Sequence, residues 1–228
     1  MATSGTTSFN LTIDEVIEEA YERCGARTNS GNDLRSARRS LNLLFSDWGN
    51  RGVHLWKVTL QTQALTAGTF QYTAPTDCND ILEAYISTTS NTISTTQDVS
   101  LTKIDRSAYA ALPNKGATGQ PSQYYVSREI TPQIYLYQAP DASTYTFLKY
   151  YYIGRIEDAG FYSNTTDIVY RFMPAMCAGL AYYLSQKIAP ERIQLLKQLY
   201  EDEMLRALEE DGQRTSSYIS PQNYYPAG

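Results

Sequence analysis

Histidine is nearly absent from this 228-residue chain: His54 stands alone against 24 acidic and 19 basic residues. A single imidazole just before the first strand-like run reads as a structural hydrogen-bonder, which removes most histidine-based catalysis and metal binding. Cysteine is also scarce. Cys24, Cys78 and Cys177 are odd in number, far apart and without CxxC spacing, so they read as reduced, buried thiols of a protein made in a cytosol. There is no glycine-rich phosphate loop followed by Lys-Ser/Thr and no nucleophile elbow. No apolar run reaches the ~18 residues that a membrane span needs. The opening MATSGTTSFN has neither the positive nor the apolar stretch of a secretory signal, so neither export nor a membrane partner is expected. Charge is missing from the last fourteen residues altogether.

What is present is tyrosine and arginine. Twenty tyrosines accompany 6 phenylalanines, and 13 arginines accompany 6 lysines. Cores of protein–protein interfaces favour Tyr and Arg and are depleted in Lys, although a Tyr-rich sheet with ordinary surface arginines has the same composition. A formal charge of −5 argues against non-specific nucleic-acid binding, which depends on many phosphate-neutralising cations. Apolar content of 42% and charged content of 19% are those of a globular protein.

The first helix is announced by LTIDEVIEEAYERCG. Thr12 and Glu15 form a capping box, Ile13, Val16, Ile17, Ala20, Tyr21 and Cys24 make one apolar face, and Gly25 is the stop. NDLRSARRSLNLLFSDWGNRG predicts a second, capped by Asn32 or Ser30. Its stripe is Leu34, Ala37, Leu41, Leu44, Phe45 and Trp48, with Gly49 and Gly52 at its end. The two are expected to form an antiparallel hairpin. Arg35, Arg38 and Arg39 lie off the stripe.

From Leu55 the period changes. LWKVTLQTQALTAGTFQYTAP reads as two strands around a turn at Ala67 and Gly68, and DILEAYIST, DVSLTKI, QYYVSRE, QIYLYQAP and TYTFLKYYYIG add further strands. DRSAYAAL is a short helix between two of them, and the Ser/Thr tract of residues 87–97 is a surface loop. The last of these strands carries apolar residues on both faces and so should be covered on both sides. Two helices then follow. Pro174 belongs in the first turn of one and Pro190 opens the next, whose other face is acidic. The fold class is therefore α+β: a helical body of residues 1–53 and 165–212, an inserted β-rich lobe of residues 54–164, and an extended C-terminal arm of residues 213–228. No cofactor or metal is expected. Carboxylate pairs (Asp47, Asp77 with Asp80, Glu157 with Asp158) leave glycoside hydrolysis open in principle, but 24 acidic residues produce such pairs by chance. Stacking of single-stranded nucleic acid on QYYVSRE or FLKYYYIGR is conceivable, yet burial or subunit contact explains those aromatics as well.

The blocks LRSARRSLNLLFSDWGNRGVHLW, LTAGTFQYTAP, DILEAYI, QPSQYYV and PAMCAGLAYYL, in that order, resemble the head-to-tail adaptor proteins of short-tailed double-stranded DNA bacteriophages. These are also known as tail accessory or packaged-DNA-stabilisation proteins. The likeness spans about residues 11 to 214. It implies a non-enzymatic virion protein of the neck, synthesised in the host cytoplasm. Copies would form a ring, usually of twelve, that joins the portal to the tail nozzle, continues the DNA channel and helps retain packaged DNA. DNA would pass through without sequence-specific binding. The resemblance also implies an arm reaching onto the portal. Tyr218, Ile219, Pro221, Tyr224 and Tyr225 then become portal-binding candidates. Ring closure needs two different faces on each subunit, for which Arg35, Arg38 and Arg39 and the acidic face of the last helix are candidates. Rival readings are a carboxylate-dependent peptidoglycan hydrolase of the virion and a Tyr-rich binding module unrelated to phages.

Overall fold

The computed structural model describes residues 5–6, 9–27, 30–53, 55–90 and 98–212. His54, most of the Ser/Thr tract and the whole arm lie outside them.

Local chemistry sets the first two helices. Helix α1 (Ile13–Cys24) starts where the Glu15 carboxylate accepts the Thr12 backbone N–H at 2.8 Å and the Thr12 hydroxyl accepts the Glu15 N–H at 3.4 Å. All six residues of its expected stripe are buried, and Gly25, at φ 74°, takes the left-handed stop. In α2 (Gly31–Asn50) the cap is Ser30, in a reciprocal pair with Asp33. The helix runs through Gly49, and the left-handed residue is Gly52, at φ 79°. Leu34, expected in the stripe, is only half-buried.

The hairpin expectation needs correction. Helices α1 and α2 meet each other less than each meets α4 (Met173–Ile188), because α4 is buried on nearly every face and occupies the centre of the body. Its Cys177 and Ala181 face α1, while Gly179 admits Leu44 of α2 and Tyr200 of α5 (Ile193–Asp211). A Cβ on Gly179 would stand 2.9 Å from both neighbours. Trp48 donates its indole N–H to the Tyr200 hydroxyl at 2.9 Å, so the largest buried side chain carries no unsatisfied donor. Pro174 sits in the first turn of α4, as expected.

The lobe is one seven-stranded sheet in the order β1-β9-β3-β4-β6-β7-β2, with a two-stranded pair beside it. Its strands are β1 (Val58–Ala64), β2 (Gln71–Thr73), β3 (Cys78–Ser87), β4 (Val99–Lys103), β6 (Gln123–Ser127), β7 (Gln133–Tyr137) and β9 (Phe147–Gly154). The small pair is β5 (Thr118–Gly119) with β8 (Ala139–Pro140). Within the large sheet pairing is antiparallel except between β4 and β6, whose parallel crossover carries the short helix α3 (Arg106–Ala111), and the small β5–β8 pair is parallel as well.

Strands β1 and β2, read as neighbours around a turn, sit at opposite edges. The turn forms, with Gly68 at φ 76°, but β1 pairs with β9 and β2 with β7. The sheet curls until one short connection joins its two edges, and the Tyr72 hydroxyl accepts the Thr66 N–H at 3.0 Å across that gap. Strand β9 is covered on both sides, as expected, except at Tyr151, which is 40% exposed.

Two buried clusters result. One joins the four long helices and also takes Ala159, Ile168 and Phe172. The other fills the sheet with Ile81, Ile86, Tyr124, Ile134, Leu148 and Tyr150. At their junction Trp56 packs on Phe172 (ring centroids 5.1 Å apart), and the Lys57 ammonium meets Asp167 at 2.7 Å. A cleft of about 340 Å³ opens between α2 and the end of the sheet, lined in part by Asn42, Asn79 and Arg155.

Candidate assembly interface

The α2 arginines part company. At about 100° per residue Arg38 lies roughly 60° from Arg35 and roughly 100° from Arg39 around the helix. Its guanidinium donates to the Gly160 carbonyl at 3.2 Å and lies over the Tyr162 ring at 5.7 Å, tying α2 to the segment that leaves the sheet. Arg35 and Arg39 lie one turn apart on the exposed ridge of α2, with Leu43 one turn further on and 55% exposed. A third cation joins them. The Lys187 ammonium, at the end of α4, donates to the hydroxyls of Ser36 (3.0 Å) and Ser40 (2.7 Å). Partial burial holds its pKa below the usual lysine range, and the charge of Arg39 adds to that. This patch is positive without a carboxylate to balance it among the described residues.

The acidic side of α5 is largely engaged inside the chain. Glu201 receives Arg51 through both oxygens, at 2.9 and 3.1 Å, and the same guanidinium meets Asp47 at 2.8 Å and lies over Tyr200. That bidentate hydrogen bonding raises the arginine pKa further, against the cost of burial. Asp211 pairs with Arg171, and Glu203 with Arg206. Sequence reasoning missed a second acidic stripe, Glu15, Glu18 and Glu22 on α1, although its spacing is plain in the sequence. Exposed leucines (Leu195, Leu199, Leu205, Leu208) run along α5 towards Gly212, where the arm begins. The portal-binding candidates Tyr218, Ile219, Pro221, Tyr224 and Tyr225 lie outside the described residues.

Two of the acids considered for catalysis are engaged in ion pairs. Asp47 serves Arg51, and Asp80 binds Lys103 (2.9 Å) and Arg128. Burial alone would raise the Asp80 pKa, but hydrogen bonds from Lys103, the Ile81 N–H and Arg128 bring it below the usual aspartate value, opposite to a general acid. Of the aromatics considered for base stacking, Tyr125 is already engaged. It clusters with Tyr135 (5.8 Å) and Tyr109 of α3 (5.6 Å), which are 5.7 Å from each other, and Lys115 lies over the Tyr109 ring.

The arrangement is that of a scaffold with charged and apolar faces. The profile of the SU10 adaptor protein family matches residues 11–224, almost the whole chain. The chain belongs to that family. Its class is accordingly a structural bacteriophage head-to-tail adaptor, which meets portal and tail proteins at the virion neck. Among curated proteins no match is found. No helix among the described residues of this adaptor is long and apolar enough to cross a membrane.

Proposed function

We propose that this adaptor is a non-enzymatic subunit of a ring between the portal and tail nozzle of a short-tailed phage, closed by heterologous contacts and of about twelve copies, the number that the resemblance to short-tailed phage adaptors implies. The observation that carries the reading is a basic ridge with an exposed leucine: Arg35 and Arg39 make no ion pair among the described residues, whereas Arg51 pairs with Asp47 and Glu201, and Arg171 with Asp211. Such a surface is suited to a partner. The helical body of residues 1–53 and 165–212 forms the ring. The lobe of residues 54–164 faces the tail, and the arm of residues 213–228 reaches the portal. Its tyrosines and Ile219 anchor the arm. Side-chain burial alone does not offset the entropy of ordering sixteen residues. Backbone pairing by strand addition, two prolines that pre-restrict the free arm and the avidity of many arms in one ring supply the remainder. A net charge of −5 suits a channel through which DNA moves without sticking and behind which it is retained.

The test mixes the full chain with purified portal rings and follows binding by native mass spectrometry and electron microscopy. Stoichiometric binding that is lost on truncation after Gly212 is the expected result. A monomer indifferent to portal rings sinks the reading, as does turnover of cell-wall material that one Asp or Glu substitution abolishes.

A further inference from the structure

Two surfaces of the helical body are complementary to each other yet cannot meet within one chain. On α1, Glu15, Glu18 and Glu22 follow one another along the outward face. Glu15 is occupied by the cap at Thr12, whereas Glu18 and Glu22 make no ion pair among the described residues. Beside them is an open groove of about 430 Å³, with a floor of Phe9, Leu11, Met173 and Pro174. Phe9 is 64% exposed and so adds a large apolar side chain to the accessible wall of the groove. On α2 the order is Arg35, Arg39, Leu43: two cations and then an apolar side chain, each one turn apart.

The spacings match. A four-residue step rises about 6 Å in any α-helix. Crossed antiparallel, Arg35 falls opposite Glu22, Arg39 opposite Glu18, and Leu43 over the apolar floor. Helices α1 and α2 flank different faces of α4, the first through Cys24 and Ala181, the second through Leu44 and Gly179. Each subunit therefore shows groove and ridge at the same time in different directions, the condition for a head-to-tail contact between identical chains.

We infer that the α1 groove of one copy receives the α2 ridge of the next. The occupant is a second copy of this chain because both halves of the charge pattern, at one spacing, belong to the same sequence. The inference rests on the ring reading and replaces the α5 acids, of which Glu201, Glu203 and Asp211 are paired within the chain, with those of α1 as the partner of Arg35 and Arg39. Arg38, turned inward to Gly160, takes no part.

A charge exchange tests it. One variant of the full chain carries Glu18→Lys and Glu22→Lys, another Arg35→Glu and Arg39→Glu. All four positions are exposed, and far-UV circular dichroism checks that each variant folds. Assembly is measured by native mass spectrometry at low salt, with and without portal rings. The wild-type chain should form closed oligomers that weaken as salt rises. Each variant alone should lose them, and an equimolar mixture of the two should recover them, alternating around a ring. A chain with all four exchanges should also assemble by itself. Closed oligomers that persist in both variants overturn the surface assignment and leave the ring standing. Loss of portal binding with self-association intact also overturns it, by showing that these surfaces face the portal. A wild-type chain that stays monomeric alone and on portal rings overturns both this inference and the ring.

Discussion

The helical body and the sheet lobe both pair charges within the chain but differ in which charges they leave outside. The body buries apolar stripes and one hydrogen-bonded aromatic pair, Trp48 with Tyr200, and leaves Arg35, Arg39, Glu18 and Glu22 on its outside without in-chain ion pairs among the described residues. The lobe draws polar groups inward. Lys149 is 2% exposed and meets Asp98 at 3.3 Å, Tyr124 and Tyr150 are fully buried, and Asp80 gathers Lys103 and Arg128 around itself. Burial pushes the hydroxyls of Tyr124 and Tyr150 well above the ordinary tyrosine pKa. A region that consumes its own charges has few to offer a partner; one that exports them is fitted for electrostatic assembly. The difference favours the body over the lobe as the place of the proposed contacts between copies.

The contrast is open to experiment, beginning where the effect is largest. Trp48→Ala empties the centre of the body and should cost about 3–5 kcal/mol of stability, measured by denaturant unfolding. Hydrogen exchange on the same variant should show α2, α4 and α5 amides losing protection while those of β3 and β9 keep it. Equal loss in both regions erases the distinction between two cores. Gly179→Leu forces a side chain between Leu44 and Tyr200 and should cost about 1–3 kcal/mol, again first in the body. A melting temperature unchanged by that substitution contradicts the close packing around α4.

In the lobe, Asp80→Asn should cost roughly 1–2 kcal/mol near neutral pH, a charged hydrogen-bond value discounted for solvent screening. Because the folded state lowers the Asp80 pKa, the unfolded chain binds its proton first. The stabilisation is full above the unfolded aspartate value, about 3.9, and is lost as pH falls through the lower folded value. Unfolding midpoints followed from pH 6 to pH 2 should therefore fall less steeply in the asparagine variant. The smallest effect belongs to a single cap. Thr12→Ala should cost about 1 kcal/mol and fray the start of α1, visible as faster exchange at the first-turn amides.

Of the fold, the helices were the most legible part. Thr12, Glu15 and Gly25 act on residues a few positions away, so cap, stripe and stop of α1 could be read from fifteen letters. The two edge strands were misjudged because a run such as VTLQTQA states that it is extended and not which strand lies beside it. Its partner β9 arrives some ninety residues later. Of the interface candidates, Arg35 and Arg39 were picked because they fall off an apolar stripe, and the fold leaves both exposed. Arg38 satisfies the same rule, and only the path of residues 155–162 past α2 turns it inward. The engagement of Glu201 on α5 was hidden for a similar reason: Arg51, which takes it, stands 150 positions earlier.

By itself, then, the sequence determined the features that depend on neighbours along the chain: the helix limits, the buried stripes, the mixed α+β character and the uncharged end. These follow from backbone hydrogen bonds and side-chain spacing within a few turns. Only the tertiary structure decided that α4 is the centre of the body, that β1 and β2 bound opposite edges, and which exposed charges remain unpaired. Long-range pairing is a competition among many possible partners for the same desolvated surface or the same ion, and it is settled by geometry when the chain closes on itself.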